Sequence, residues 1–363
     1  MIATNSNAFA VKDYHKQERV SQSMLTKLSV DPFLLSDIMK QKEQEKKFEF
    51  PDFSDTPMKI GTAVDALLCL DESSMYEIFD VYPGVIPTGQ MLTFCHNLYK
   101  ICWQRGLEKI EDVNMDAFQA AYDNTGIKRD NFEKFVYERF AKEGKTYFEF
   151  ILQAKDKEIL SEKGYDMALR TAESLRNHPY TTKYITQQEN VDDWAYLYQL
   201  PIYFEYKGVK CKSMLDIVRI NPNEGIAQII DIKVKEGPVS SFDYSYRKFR
   251  YDLQGAFYKL ALSYWLKAEG LDLVIENPYF AVESFTSTGR PRIFQMSDID
   301  LEVGTNGGYS LASGKPTKGY EQLIDEYKEY LQLGSYDYPM DVRKSNGKVI
   351  VNEYTTINPA TGN

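Results

Sequence analysis

The stretch KSMLDIVRI (residues 212–220), followed after a short turn by IAQIIDIKV (226–234), decides how the chain is read. Both runs are rich in β-branched and apolar residues, the composition of strands, yet each carries ionisable groups in its interior. Side chains alternate along a strand, so in IIDIKV Asp231 and Lys233 point to one face while Ile230 and Ile232 point to the other. One face is core and the other is free for chemistry. A carboxylate pair formed by Asp216 and Asp231 on neighbouring strands would suit a hard divalent cation, Mg2+ or Mn2+, which takes oxygen ligands. A lysine two residues from one of the carboxylates can orient a metal-bound water or steady charge on a phosphate oxygen. On its own, D-x-K also describes a strand with a surface ion pair, so the flanking sequence has to support the site.

Outward from this pair, WAYLYQLPIYFEY (194–206) reads as a third strand. Turn signals at Lys207-Gly208 and at 221–225 then predict an antiparallel meander. Glu205, on the first of these strands, is a further candidate: it either approaches Asp216 across the ladder or is a charge near a hairpin end. Beyond Lys235 a linker rich in Ser and Tyr leads to a helix from about Arg250 to Ala268, in which Tyr251, Gln254 and Tyr258 share one face at i, i+3 and i+7. With Arg247, Lys248 and Arg250 of the RKFR run, that face suits a nucleic-acid backbone, and Tyr251 could stack on a base. A strand over 271–283 and its partner over 290–296 are expected next, followed by a helix over about 319–333. VRKSNGKVIVNEY (342–354) carries the Asn-Gly signature of a terminal hairpin.

Residues 1–20 read as a flexible arm, and SQSMLTKLSVDPFLL (21–35) as helix with a break at Asp31-Pro32. MKIGTAVDALLCL (58–70) is an apolar helix with one acid in its middle, Asp65. A lone buried acid needs a partner, so Asp65 is either a cap or lysine contact, or a third acidic metal ligand. Residues 87–180 have a helical period, and the aromatics Phe132, Phe135 and Phe140 within them read as core. We therefore expect one domain over 21–335 with a helical insertion at about 87–180, and a C-terminal hairpin and tail over 336–363.

Composition excludes several classes of protein. Four cysteines without a C-x-x-C pair argue for buried thiols rather than disulfides, a zinc site or an iron-sulfur cluster. Three histidines, His15, His96 and His178, leave little material for a histidine-built site. No long uncharged apolar run and no export-like start appear, so a soluble, cytoplasmic protein without membrane contact is expected. The net charge of −10 argues against a general nucleic-acid coat. Residues 203–259 nonetheless hold ten Lys or Arg against seven Asp or Glu, a basic segment in an acidic chain.

Taken in order, these motifs resemble the RecB/RecE-like exonuclease branch of the PD-(D/E)XK nuclease superfamily, most closely phage and prophage recombination exonucleases. SQSMLTKLSVDPFLL is similar to the family's first helix and IGTAVDALL to its Gly-x-x-x-His helix. KSMLDIV and IIDIKV resemble its two catalytic strands, and YDLQGAFY its Q-x-x-x-Y helix. The resemblance implies an α/β, restriction-endonuclease-like fold with a central mixed β-sheet flanked by helices. It implies Asp216 and Asp231 as metal ligands and Lys233 as catalytic lysine, with Gln254 and Tyr258 at the active site or on the DNA backbone. Asp65 stands where the family often has histidine, and Asp231 where it more often has glutamate. The implied activity is a Mg2+- or Mn2+-dependent deoxyribonuclease acting on linear duplex DNA ends in recombination or repair, working with a single-strand annealing partner and as a homo-oligomeric ring, in the host cytoplasm if phage-encoded. The alternatives are a non-catalytic DNA-end scaffold on the same fold, and an endonuclease.

Overall fold

A computed structural model describes residues 13–35, 50, 52–70, 72–126, 131–154, 157–187, 193–310 and 314–347. Two compact units emerge, one made of Met1–Gln44, Leu68–Leu70 and Glu173–Asn363, the other of Glu45–Leu67 and Asp71–Ala172. The second unit therefore begins before residue 87 and ends before 180, the bounds expected for an insertion.

The first unit is built on a mixed sheet flanked by helices, the α/β architecture expected. Strands β1 (Ala195–Tyr206), β2 (Val209–Asn221) and β3 (Ile226–Lys235) form the antiparallel meander. Lys207 and Gly208 both have positive φ, at 50° and 78°, as a two-residue hairpin turn requires. The chain then leaves the sheet through helices α2 (Phe242–Lys248) and α3 (Tyr251–Ala268). It returns as β4 (Val274–Ile275) and β5 (Tyr279–Ser284), both parallel to β3, a pairing that needs such a crossover. The single strand expected over 271–283 is thus broken, and Pro278, which has no N–H to give a ladder, lies in the break. Strand β6 (Arg292–Gln295) pairs antiparallel with β5 and completes the sheet.

One face of the sheet carries the core. Leu215, Val218, Ile220, Ala227 and Ile229 meet Leu253, Ala256, Phe257 and Ala261 of α3 and Leu323 and Ile324 of the helix Tyr320–Leu333. Leu25 and Leu28, from the helix Gln22–Val30, join the same cluster. Gly304 lets the helix Asp298–Asn306 approach α3 closely, since a Cβ there would stand 2.2 Å from the Asp252 carbonyl oxygen.

Residues 13–20 are not a loose arm. Val20 bonds to Lys210 and Lys212 of β2, taking the place beside that strand that β3 leaves open. The Lys212 ammonium holds the carbonyls of Tyr14 and Gln17 at 2.8 Å each. The terminal hairpin is also corrected: its first limb is the helix Met340–Lys344. Asn346 and Gly347, with positive φ, end that helix by returning their N–H groups to Arg343 and Val342. The second limb lies outside the described residues.

The second unit is mainly helical. Its core contains Phe135 and Phe140, as the aromatic spacing predicted, together with Phe94, Phe118 and Phe148, while Phe132 packs against it only partly buried. Residues 158–161, expected to be helical, form a strand parallel to Phe79–Tyr82. All four cysteines are buried and none forms a disulfide. Among the described residues no helix is long and apolar enough to cross a membrane.

Gly304→Ala tests the packing of α3. Its Cβ would press on backbone rather than on a flexible side chain, so overpacking should cost about 1–3 kcal/mol and lower the Tm by several degrees. An unchanged melting curve would contradict the close helix contact.

Candidate active site

The site lies on one row of the sheet where three strands depart from regular pairing. The hairpin turn sets Gln199 of β1 opposite Asp216 of β2, because Tyr198 faces Ile217 and Leu200 faces Leu215. The β2–β3 ladder runs only as far as Ile217 and Ile230, one residue short of Asp216 and Asp231. Gln199 has φ of 47°, the left-handed region, inside a strand and without being glycine. At this row the core face changes phase in both strands. Leu197 and then Leu200, Ile202 and Phe204 pack inward from β1, and Cys211 and Leu215 and then Val218 and Ile220 from β2. Odd positions give way to even ones, and Asp216 sits at the change.

Asp216 is held at both oxygens, Oδ2 by the backbone N–H of Ile232 at 2.9 Å and Oδ1 by the Gln199 amide at 3.4 Å. The side chain thus takes a backbone donor where the ladder has stopped. Asp231 is 3% exposed and lies on the face that carries Ala227 and Ile229 into the core, one step further along. Its Oδ1 accepts from Gln254 Nε2 at 3.1 Å, and its Oδ2 lies 2.5 Å from Lys233 Nζ as an ion pair rather than an aligned hydrogen bond. The same Gln254 nitrogen donates to Tyr258 Oη at 2.9 Å. Lys233 Nζ stands 4.6 Å above the Tyr251 ring. That ring is stacked with Phe242 and Phe280, at centroid distances of 5.8 and 5.7 Å. The predicted stripe Tyr251, Gln254, Tyr258 therefore faces the strand pair as one unit.

The electrostatics follow from burial. Asp216 is pushed up to about 7, first by burial and then by the charge of Asp231, with Lys233 and the two hydrogen bonds opposing. Asp231 is also raised by burial, against the pull of Lys233. Burial by itself lowers Lys233, but Asp231, Tyr251 and Asp216 outweigh it and hold the ammonium protonated well above neutral pH. Tyr258 is raised by burial and by both carboxylates. Two acids that repel each other in a poorly solvated site, with all-oxygen donors, are the set a hard divalent cation fits. Each carboxylate oxygen has a lone pair left beyond the partner described here. Among the described residues no group of three or more His, Cys, Asp or Glu is gathered as a metal centre.

Four further expected site residues, Glu205, Arg247, Lys248 and Arg250, lie off this row. Glu205 is opposite Lys210 near the hairpin end, six residues along β1 from Gln199, about 20 Å away at strand rise, and exposed. Arg250, expected to contact nucleic acid, is turned inward: its guanidinium grips Asp252 through two bonds near 3.0 Å and the Lys318 carbonyl at 2.8 Å. Arg247 and Lys248 are exposed, Arg247 paired with Asp243 at 3.1 Å. Asp65 belongs to the second unit, half-buried on the helix Pro57–Cys69. His96 bonds to Tyr147 at 3.0 Å and His178 accepts from the Tyr180 N–H at 3.2 Å. Gln199 was missed; counting outward from the Lys207-Gly208 turn would have set it opposite Asp216.

Neither a protein-family model nor a curated protein matches the sequence. Among solved structures the chain is similar to a crystal structure described as a "Putative exonuclease" from Eubacterium rectale, at 13% identity and a TM-score of 0.45, over 98% of this chain and 97% of that one. A likeness at this level carries no weight for function, which rests on the geometry above.

The raised pKa of Asp216 sets a pH dependence. A carboxyl that holds its proton longer folded than unfolded contributes stability below its ordinary range near 4 and loses it as pH rises through about 7. In EDTA, the wild-type Tm should fall across that window more steeply than that of Asp216→Asn. Parallel Tm curves would refute the burial of an ionisable Asp216.

Proposed function

We propose that the protein is a divalent-metal-dependent deoxyribonuclease that hydrolyses phosphodiester bonds from the ends of linear duplex DNA, in recombination or repair. The observation that carries the reading is the meeting of Asp216, Asp231 and a protonated Lys233 in one poorly solvated site, with Gln254 bonded to Asp231. A purely structural strand would not keep two carboxylates side by side where burial and mutual repulsion disfavour their charge. A DNA-binding scaffold would have no use for that pair either.

Asp216 and Asp231 would hold Mg2+ or Mn2+ through their oxygens. Bound there, the ion supplies an activated water and stabilises charge on the scissile phosphate. Lys233, fixed between Asp231 and the Tyr251 ring, has no free base form at neutral pH. Its role is therefore to donate hydrogen bonds and positive charge to the water or the phosphate oxygens, not to remove a proton. Gln254 fixes the orientation of Asp231, and Tyr258 fixes the amide that does so. The resemblance of the motifs to recombination exonucleases supports DNA ends as the substrate. It also suggests a strand-annealing partner and a ring-shaped homo-oligomer.

Purified protein incubated with linear and covalently closed DNA, in Mg2+, Mn2+ or EDTA, tests the reading. Linear DNA should be lost only with metal, and closed circles should persist. Asp216→Asn and Lys233→Ala should each lower the rate by about 10²–10³-fold or more, with circular dichroism unchanged. Nicking of closed circles would point to an endonuclease. Binding without metal-dependent loss of either DNA would point to a scaffold.

A further inference from the structure

A second feature lies immediately beside the site, on α2 and the turn that follows it. Two large aromatic side chains stand in solvent there, Tyr244 at 61% and Phe249 at 48% exposure. Lys248 Nζ lies between them, 5.8 Å from the Tyr244 ring centroid and 5.3 Å from that of Phe249. Among the described residues Lys248 makes no ion pair, and Arg247 is exposed next to it. The Phe249 ring is 5.9 Å from Tyr251, and the Tyr251 ring carries the Lys233 ammonium. A continuous line of rings and cations thus runs from the surface to the catalytic lysine. Exposed rings on both sides of a cation have no role in the core, since Val239 and Phe242 already anchor this segment beneath them.

We propose that Tyr244, Lys248 and Phe249 form a stacking platform for the unpaired end of a DNA strand, the bases lying on the two rings and a backbone phosphate meeting Lys248. The proposal deepens the nuclease reading and rests on it for its meaning: the strand to be cut would reach Lys233 already separated from its complement. A single strand is the ligand such a surface favours. Every base has a flat face to stack, whereas in duplex DNA those faces are covered. A duplex would meet the exposed cations but leave the rings without partners.

The test measures binding in EDTA, where no metal-dependent cleavage occurs, to a fluorescein-labelled single-stranded oligodeoxynucleotide and to a blunt duplex of the same sequence. Tyr244→Ala and Phe249→Ala should each weaken single-strand binding about tenfold, through the loss of one base stacked on one ring. Duplex binding should change less than about twofold, because phosphate contacts supply it. Tyr244→Phe and Phe249→Tyr, which keep the ring, should bind as wild type. Wild-type protein that fails to bind the single strand, alanine variants that bind it normally, or equal losses on both DNAs would overturn the platform. The two readings fail separately. Normal metal-dependent cleavage with ring-independent binding removes only the platform, and ring-dependent binding without cleavage by wild-type protein removes only the nuclease.

Discussion

Two carboxylates held side by side in a poorly solvated part of a sheet are the constraint on which the first unit turns. Burial raises both, and the donors around them oppose that only in part. The Ile232 N–H and the Gln199 amide serve Asp216, and Lys233 and Gln254 serve Asp231. To bring these donors in, regular pairing stops along the row Gln199–Asp216–Asp231 and the core face of β1 and β2 changes phase. A non-glycine residue in the left-handed region costs of order 1–3 kcal/mol. Leu253, Phe257, Leu215 and Ile229 are fully buried on the same face, and full burial of such side chains contributes about 1.5–3 kcal/mol each. The surrounding core can therefore sustain the irregular row.

Lys233 shows how the same environment selects a protonation state. In apolar surroundings alone an ammonium loses its proton readily, which would make the residue a base. Here Asp231 lies against it and the electron-rich face of Tyr251 lies below it, so the charged form prevails. Phe242 and Phe280 hold the Tyr251 ring from α2 and β5, so the ammonium's position depends on three elements rather than on one flexible side chain. Preorganisation of this kind is what electrostatic stabilisation of a transition state requires.

Much of this was legible in the residues. Alternation in IIDIKV sends Asp231 and Lys233 to one face. The spacing of Tyr251, Gln254 and Tyr258 puts them on one helix stripe, and the turn at Lys207-Gly208 fixes how β1 meets β2. What was hidden depends on backbone departures that no side-chain pattern announces. Gln199 looks like an unremarkable polar residue in a strand until its φ is known. Arg250 reads as a surface cation, yet its own left-handed backbone turns it toward Asp252 and the Lys318 carbonyl. Asn346-Gly347 suits a hairpin and a helix end equally well, because both need positive φ, and the preceding helical residues decide between them.

The inward turn of Arg250 also bears on how an acidic protein would meet a polyanion. With a net charge of −10, long-range attraction cannot gather nucleic acid over the whole surface, and it has to be recognised locally. Near the site, Arg250 is committed to Asp252, Arg247 to Asp243, and Lys233 to Asp231. Such pairs offer a phosphate less than isolated cations would. Contact then has to come from groups that do not depend on net charge, and aromatic faces are of that kind. Tyr244 and Phe249 are displayed beside Lys248, which leads by way of Phe249 and Tyr251 to the Lys233 ammonium. Ring surface beside a single fixed charge would suit a site that admits a strand without binding every anion that approaches.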